Sequence, residues 1–376
     1  MLERLENIYR LGVKELFSLR HDPVLIALIV WAFTASIYTA ATGMSHDLNN
    51  AAIAIVDEDN SQLSARIGDA FLPPYFHKPV QIGFDEIDQT MDTGLYTFVV
   101  VIPPRFEADV IAGNQPDLQV NIDATAMMQA GIGATYISSI ISEEIVKYIN
   151  DDVPVESDDT INLQIRYAFN PNVTSSWFTS VMEIINNITM LSIVLTGAAL
   201  IREREHGTIE HLLVMPLTPI EIMMAKVWAN GLVILVSVGL SLALVVEMML
   251  DVPLAGSKML FLFGTALYLF FSTALGIFLA TLARSMPQFG LLFILVALPL
   301  MLLSGGETPI ESQPALLQNI MQFSPSVHFV SYAQAILYRG AGLDIVWPQF
   351  AVVFGIALAF FAFAAMRFRK SISAMH

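Results

Sequence analysis

Residues 23–45, PVLIALIVWAFTASIYTAATGMS, contain no charged side chain, and this property decides how the chain folds. A helix needs about 20 apolar residues to cross the hydrocarbon core of a bilayer. Within lipid the backbone must satisfy its own hydrogen bonds, which favours a helix. Five further stretches also lack charges, namely Ile184–Ile201, Val227–Val246, Met259–Ala283, Ser285–Gly306 and Ile345–Met366. We predict six transmembrane helices, the first over residues 23–41.

The composition agrees with a membrane protein. Hydrophobic residues make up 55% of the 376 residues and charged residues 14%, whereas a soluble domain carries about 25% charged residues. The net charge is −16, so the chain lacks the basic excess that binds nucleic acid. We expect the lipid bilayer as a partner and no nucleic acid.

Residues 42–176, between the first two predicted helices, have a different pattern. Short apolar runs such as LYTFVVVIP (95–103) alternate with helix-like pieces such as SQLSARIGDAF (61–71). Strands interleaved with helices indicate a compact α/β domain. The predicted fold class is therefore membrane α-helical, with six transmembrane helices and an α/β domain inserted between helices 1 and 2.

The distribution of Lys and Arg predicts the orientation, because short cytoplasmic segments are enriched in these residues. If the N-terminus is cytoplasmic, eleven of these residues lie inside and seven lie outside, the latter over a much longer length of chain. The domain at 42–176 holds twenty Asp and Glu against five Lys and Arg, which is −15 of the chain's −16. We predict that both termini are cytoplasmic and that this domain is outside.

The other segments follow from this arrangement. Residues 1–22 place apolar side chains on one side of a helix, which predicts an amphipathic helix on the inner leaflet. Residues 177–368 hold transmembrane helices 2–6, and residues 369–376 form a cytoplasmic tail. The loop at 202–226 lies between helices 2 and 3, on the cytoplasmic side.

This loop has two sets of helix signals. Thr208 is a good N-cap for a helix that must stop before Pro216. A capping box then occurs at Thr218-Pro219-Ile220-Glu221, with proline at the first helical position. We predict two short helices at the membrane surface, the first with an alternating Arg-Glu-Arg-Glu head. A segment of this kind would serve as a rigid lever for a cytoplasmic protein, whereas the alternative is a charged loop that only orients the helices.

The segment REREHGTIEHLLVMPLTP, residues 202–219, resembles the signature of the type-2 ABC export permeases, R-E-x-E-x-G-T-x-E-x-L-x-x-x-P. The resemblance extends along the chain through VDEDNSQLSARIGDAF, VVVIPPRFEADVIAG, RYAFNPNVTSSWF and LSGGETPIESQP. It looks like the subgroup of bacterial multidrug-type export permeases, whose members have a large periplasmic domain. It assigns the contact with the ATPase to Arg202, Glu203, Arg204, Glu205, Gly207, Thr208, Glu210, Leu212 and Pro216.

The resemblance also implies partners. ATP and Mg would be bound by a separate cytoplasmic ABC ATPase subunit, so this chain is expected to bind no cofactor and to be a transport subunit and not an enzyme. The sequence itself has no P-loop motif. A second permease subunit (identical or different), the bacterial inner membrane and a periplasmic adaptor protein complete the expected assembly. Glu203, Glu205 and Glu210 would pair with the ATPase, and Arg202 and Arg204 would hold the loop at the inner leaflet. A short re-entrant turn is expected at Ser304–Pro309.

Three polar residues at the start of the second predicted helix form a further candidate site. Glu183, Asn186 and Asn187 occur at i, i+3 and i+4, which places them on one helical face. Polar groups in a membrane span avoid lipid, so we expect them at a dimer interface or along the substrate path. Where many relatives have a Val-Pro-Gly-Leu step, this chain has Val181-Met182-Glu183-Ile184, so the bend of the family is in doubt.

Two other functions have to be weighed. An ion-coupled secondary transporter would use Glu183 as a proton site, but it predicts paired membrane carboxylates and an inverted repeat, which the sequence lacks. A membrane-anchored periplasmic scaffold that binds a ligand predicts one or two anchoring helices and a signalling domain. Six predicted spans favour the permease.

Overall fold

The computed structural model describes residues 2–43, 48, 50–114, 116–123, 127–150, 174–207 and 217–373. Contacts within the chain divide it into two compact units. One unit joins Met1–Gly43 to Ser176–His376 and is helical, and the other, Met44–Ser175, contains the β-sheet.

The helical unit begins with an amphipathic helix and continues with long apolar helices. Its helices before the second unit are α1 (Leu2–Arg20), α2 (Pro23–Phe33) and α3 (Ala35–Gly43). The second unit contributes the short helices α4 (Gln62–Ala70), α5 (Ile87–Asp92), α6 (Phe106–Ile111) and the longer α7 (Met127–Ile149). The helical unit then resumes with α8 (Ser175–Glu205), α9 (Pro219–Ser241), a π-helical turn (Leu242–Met249), α10 (Lys258–Leu282), α11 (Met286–Leu302), α12 (Ala315–Met321), α13 (Pro325–Leu337) and α14 (Leu343–Ser373).

In the part of the chain that the structure describes, five helices are long and apolar enough to cross a membrane. They are Pro23–Gly43, Ser175–Glu205, Pro219–Met249, Lys258–Leu282 and Leu343–Lys370. The remaining predicted span corresponds to α11, an apolar helix of 17 residues. The fold is thus that of a mostly helical membrane protein with five helices of full spanning length and one shorter apolar helix.

The first predicted span differs from the expected single helix. It consists of α2 and α3, which meet at Thr34, where φ is −130° and ψ is −81°. The Thr34 hydroxyl donates a hydrogen bond to the Val30 carbonyl at 2.5 Å, a local bond that competes with helix geometry. At the N-terminal end, Asp22 accepts the backbone N–H of Leu25 at 3.1 Å and caps α2.

The segment between the fifth and sixth predicted spans is more helical than the sequence suggested. The expected turn at Ser304–Pro309 is present, but it is followed by α12 and α13. Helix α13 is almost wholly buried against α10 and α14. Sequence reasoning missed it because 13 residues are too few for a span, and because its apolar side chains meet protein on several sides.

The second unit has an α/β fold. Its sheet has the order β2-β1-β3-β4, in which β1 (Ile53–Asp57) is parallel to β2 (Val80–Gln81) and β3 (Phe98–Ile102), and β3 is antiparallel to β4 (Gln119–Ile122). Helices α4, α6 and α7 cover one face, and α5 covers the other. Both faces are therefore buried, which explains the continuous apolar run of β3.

Candidate functional site

The N-terminal helix α1 lies against α9, the first helix after the predicted lever. The rings of Tyr9 and Trp228 stack with centroids 5.9 Å apart, and the Trp228 indole N–H donates to the Ile8 carbonyl at 3.0 Å. Gly12 packs directly on the Trp228 ring, where a Cβ would collide. Helix α1 therefore approaches α9 closely at one point and is attached there by its backbone.

Four charged residues join α1 to the ends of α8 and α9, and we call them the ionic cluster: Lys14, Glu15, Glu203 and Lys226. The Lys226 ammonium lies 3.0 Å from a Glu15 carboxylate oxygen and 2.9 Å from Glu203. Lys14 approaches Glu203 at 3.4 Å. Lys226 is only 1% exposed, and a buried charge persists only when it is paired.

Burial shifts the pKa of Glu15. Desolvation raises the pKa of Glu15 above its usual value, while attraction to Lys226 opposes the rise. The cluster therefore holds a carboxyl group that resists ionisation next to a lysine that needs an anionic partner. Two carboxylates around one ammonium satisfy this need even when one of them is protonated.

The other charges in the last turn of α8 also have partners within the chain. Arg202 forms an ion pair with Asp22, and Arg204 Nη1 donates to the Ala283 carbonyl at 2.7 Å. The Glu205 carboxylate accepts the Met286 N–H at 3.1 Å. This last turn is thus bonded to the start of α2 and to the connection between α10 and α11.

These contacts bear on two sequence-based expectations and correct one of them. The Arg-Glu-Arg-Glu run belongs to the last turn of α8 and does not form the head of a separate surface helix. Glu203 faces Lys14 and Lys226, because Lys226 is buried beside it and needs a counter-charge. The pairing of Glu203 with an ATPase stays a prediction.

The two ends of the loop have well-formed caps. Gly207 has φ of 68°, and its N–H donates to the Arg204 carbonyl at 3.2 Å, which is the geometry of a C-terminal glycine cap. At the other end, the predicted capping box is confirmed. Thr218 Oγ1 accepts the Glu221 N–H at 3.3 Å, and Glu221 accepts the Thr218 N–H at 2.6 Å.

The centre of the loop lies outside the described residues. This applies to Thr208, Glu210, Leu212 and Pro216, and to the helix predicted between them. Their assignment to an ATPase contact stays a prediction. Within the described part, Arg204 keeps two buried N–H groups, Nε and Nη2, without a hydrogen-bond partner.

The three polar residues at the start of α8 separate into two groups. Glu183 accepts a hydrogen bond from the Ser36 hydroxyl at 2.6 Å. Asn187 donates to the Ala32 carbonyl at 2.8 Å and to Glu183 at 3.2 Å, so both residues attach α8 to α2 and α3. Asn186 points elsewhere, and its amide lies 3.5 Å from the Glu307 carboxylate.

Sequence reasoning missed a polar chain inside the bundle. The Tyr268 hydroxyl lies 3.0 Å from both Thr189 Oγ1 and Ser326 Oγ. This connects α8, α10 and α13 in a buried setting. The three residues lie in separate apolar segments, so no local spacing signals their contact. Among the described residues, no group of three or more acidic or histidine side chains is arranged for a metal ion.

Comparison with known proteins defines the class of this chain. Residues 23–366 match the model of the ABC-2 family transporter proteins, and the chain belongs to this family. Over 377 residues and the full length of both proteins, it is 56% identical to the inner membrane transport permease YhhJ of Escherichia coli (strain K12).

Two further relatives from Escherichia coli (strain K12) are more distant. The one named "Probable multidrug ABC transporter permease YbhR" is 28% identical over 350 residues, 92% of this chain and 93% of the relative. The one named "Probable multidrug ABC transporter permease YbhS" is 26% identical over 339 residues, 89% of each chain. The predicted family is therefore confirmed. The chain is a multi-pass inner membrane protein and a transport permease, a class of membrane transport subunits and not enzymes.

Proposed function

We propose that this chain is the permease subunit of an ABC exporter and moves a substrate out of the cytoplasm or the inner membrane. ATP would be bound with Mg and hydrolysed by a separate cytoplasmic ABC ATPase, which contacts the loop between α8 and α9. The observation that carries the proposal is the attachment of both ends of this loop. Glu203 before it and Lys226 after it are bonded to each other and to α1.

A fixed loop is what mechanical coupling requires. Helix α8 continues from Ser175 to Glu205 without interruption, so a push on its last turn moves a rigid body and does not bend a hinge. The ATPase has to bind the loop differently in its two nucleotide states, because only a differential interaction shifts a conformational equilibrium.

The proposal includes a membrane topology. Helix α11 begins at Met286, bonded to the last turn of α8, and Gly306, just beyond its end, lies against Met182 near the start of α8. At 1.5 Å per residue its 17 residues extend roughly 25 Å, which is close to the hydrocarbon thickness of about 30 Å. We infer six crossings, cytoplasmic termini and a periplasmic α/β domain.

The assembly would contain two permease subunits and, outside the membrane, an adaptor protein. Glu183 and Asn187 are already bonded to α2 and α3, which favours a structural role for them in joining the first two spans. Asn186 is the member of the trio that we assign to the dimer interface or the substrate path. Because the Glu183 carboxylate is held by two donors, an ion-coupled mechanism at this site has less support.

The test uses Gly207, which lies at the junction of helix and loop. A Cβ on Gly207 meets no atom within 4 Å, so only its φ of 68° constrains the side chain. Asn tolerates this conformation far better than a β-branched residue, and Val there adds strain of roughly 1–3 kcal/mol.

The chain would be coexpressed with a candidate ABC ATPase, and co-purification and transport-linked ATP hydrolysis would be measured. We expect Gly207→Val to lower both strongly, and Gly207→Asn to retain most of the wild-type values at equal membrane insertion. Normal ATPase binding and export by Gly207→Val would reject the loop as the coupling contact.

A further inference from the structure

A cavity of about 660 Å³ opens at the C-terminal ends of α10 and α14. Its apolar wall is formed by Phe278, Leu282, Phe363 and Met366, and its rim is formed by Arg367, Arg369 and Lys370. Both helices belong to the helical unit, and neither contributes a residue to the ionic cluster. The cavity therefore forms a second, separate feature at the predicted cytoplasmic end of the bundle.

The charge at the rim has one sign. Among the described residues that line the cavity, none is acidic, although the chain has 34 Asp and Glu against 18 Lys and Arg. Arg367 and Arg369 are exposed, and within the described residues neither forms an ion pair. Two exposed guanidinium groups of this kind are suited to an anionic ligand.

The apolar wall identifies the kind of anion. Leu282 is 38% exposed, Phe363 49% and Met366 61%, so the wall continues outward as apolar helix surface at the depth of the acyl chains. A soluble phosphate would gain nothing from such a wall, whereas a phospholipid places its headgroup among the cations and its chains along the helices. Basic pockets between membrane helices on the cytoplasmic side bind acidic lipid headgroups.

We propose that this cavity binds an anionic phospholipid of the cytoplasmic leaflet, such as phosphatidylglycerol or cardiolipin. Arg367 and Arg369 contact the phosphodiester through their guanidinium N–H groups, a pairing that this side chain favours. Phe278 and Phe363 contact the first carbons of the acyl chains. The volume lies within the range of about 300–1,000 Å³ that small-ligand sites occupy.

The test places the full-length chain in nanodiscs that contain a photoreactive phosphatidylglycerol in a phosphatidylcholine background. Crosslinks to the peptide that carries residues 358–370 are quantified against lipid content. We expect the labelling of wild type to saturate as the content of the photoreactive lipid rises. The double variant Arg367→Gln, Arg369→Gln should weaken labelling by roughly fivefold for each arginine. The matched control, Arg10→Gln with Arg20→Gln, removes the same charge from the same predicted side of the membrane and should leave labelling unchanged.

Three outcomes would overturn the proposal. Equal labelling by a photoreactive phosphatidylcholine would show that the site does not recognise an anion. Displacement of the label by excess soluble glycerol phosphate would identify a soluble anion as the ligand. An equal loss of labelling in the control variant would show that the labelling depends on general surface charge and not on this cavity. The first two comparisons use wild type alone, so they hold even if the double variant fails to insert.

Discussion

At the scale of single residues, Lys226 has the greatest influence on the proposed coupling site. Its ammonium bonds to Glu15 of α1 and to Glu203 of α8, and Lys226 itself lies on α9. One side chain thus joins three helices, and the loop between two of them is the surface that we assign to the ATPase. Removing this charge leaves Glu15 buried without its cation and leaves Glu203 with Lys14 alone, which costs more than the pair itself contributes.

We therefore expect Lys226→Ala to destabilise the protein by about 3–5 kcal/mol. Lys14→Ala is the matched control, because Lys14 is half-exposed and lies 3.4 Å from the same Glu203, so its loss should cost less than about 1 kcal/mol. Thermal unfolding of the purified chain in one detergent measures both variants. Equal melting temperatures for the two would contradict the role of Lys226 in holding the helices together.

The same cluster predicts a pH dependence through Glu15. Burial, its largest influence, raises the folded-state pKa of Glu15 above the usual 4.5. A carboxyl group of this kind stabilises the fold fully below its unfolded pKa, and the contribution is lost as the pH rises through the folded pKa. We expect the melting temperature of wild type to fall relative to Glu15→Gln as the pH increases above 4.5.

The control for this effect is Glu6→Gln, since Glu6 lies on the same helix and is more than half exposed in its pair with Arg10. Its melting temperature should follow that of wild type across the same range. If wild type and Glu15→Gln differ by a constant amount at every pH, the pKa of Glu15 is not raised in the folded protein.

The local signals of this segment were readable from the sequence, but its contacts were not. The capping box is confirmed at 218–221 and Gly207 has the positive φ of a helix end, whereas the charged run lies in the last turn of α8 and not at the head of a surface helix. Lys14 lies 189 residues from Glu203 and Glu15 lies 211 residues from Lys226, so no spacing rule connects them. A charged residue that the sequence suggests for a partner can therefore form its ion pair within the chain.

At the scale of elements, α8 and α10 approach each other closely at two glycines. A Cβ placed on Gly276 would lie 2.6 Å from the Ile193 carbonyl oxygen, and one on Gly197 would lie 3.0 Å from the Gly276 carbonyl oxygen. In lipid the helices gain no hydrophobic driving force from one another, so association depends on close backbone approach at small residues. These two glycines allow that approach.

Gly276→Ala should separate α8 from α10 and destabilise the protein by about 1–3 kcal/mol, the usual cost of overpacking. Gly290→Ala is the control, because a Cβ on Gly290 of α11 meets no atom within 4 Å. The melting temperature of each variant in detergent provides the measurement. A Gly276→Ala protein as stable as Gly290→Ala would show that the two helices do not rely on this contact.

Elements were predictable where a sequence pattern was long enough to identify them. Uncharged runs of about 20 residues marked the long helices, including α8, most of which is enclosed by protein, and alternation marked the α/β unit. The break at Thr34 and the buried helix α13 were not predicted. Both depend on neighbours: α13 is short and apolar on nearly all sides because protein surrounds it, and the sequence alone cannot distinguish protein from lipid as its environment.

At the scale of the whole molecule, the helix ends form two levels. Contacts of the last turn of α8 with Asp22, Ala283 and Met286 define one level. The pair between Lys258 and Glu247, and the hydrogen bond from the Tyr338 hydroxyl to the Phe178 carbonyl at 2.9 Å, lie at the opposite ends of their helices. Successive helices thus alternate in direction, as a multi-pass protein requires.

The proposed topology predicts a periplasmic α/β unit and cytoplasmic termini. The unit carries nearly all of the net charge of −16, while basic residues concentrate at the ends near the cluster. The chain has no cysteine, so single cysteines can report the side of the membrane. Asp69 and Asp88 in the α/β unit and Arg369 on α14 are exposed, and each is expected to tolerate the substitution.

We expect Asp69→Cys and Asp88→Cys to react with a membrane-impermeant maleimide in intact spheroplasts, and Arg369→Cys to react only after the membrane is opened by detergent. The physical reason is that the reagent cannot cross the bilayer, so reactivity follows the side on which each thiol lies. Labelling of Arg369→Cys alone in intact cells would invert the topology and place the proposed ATPase loop outside. The loop could then not contact a cytoplasmic ATPase, and the proposed export mechanism would be wrong.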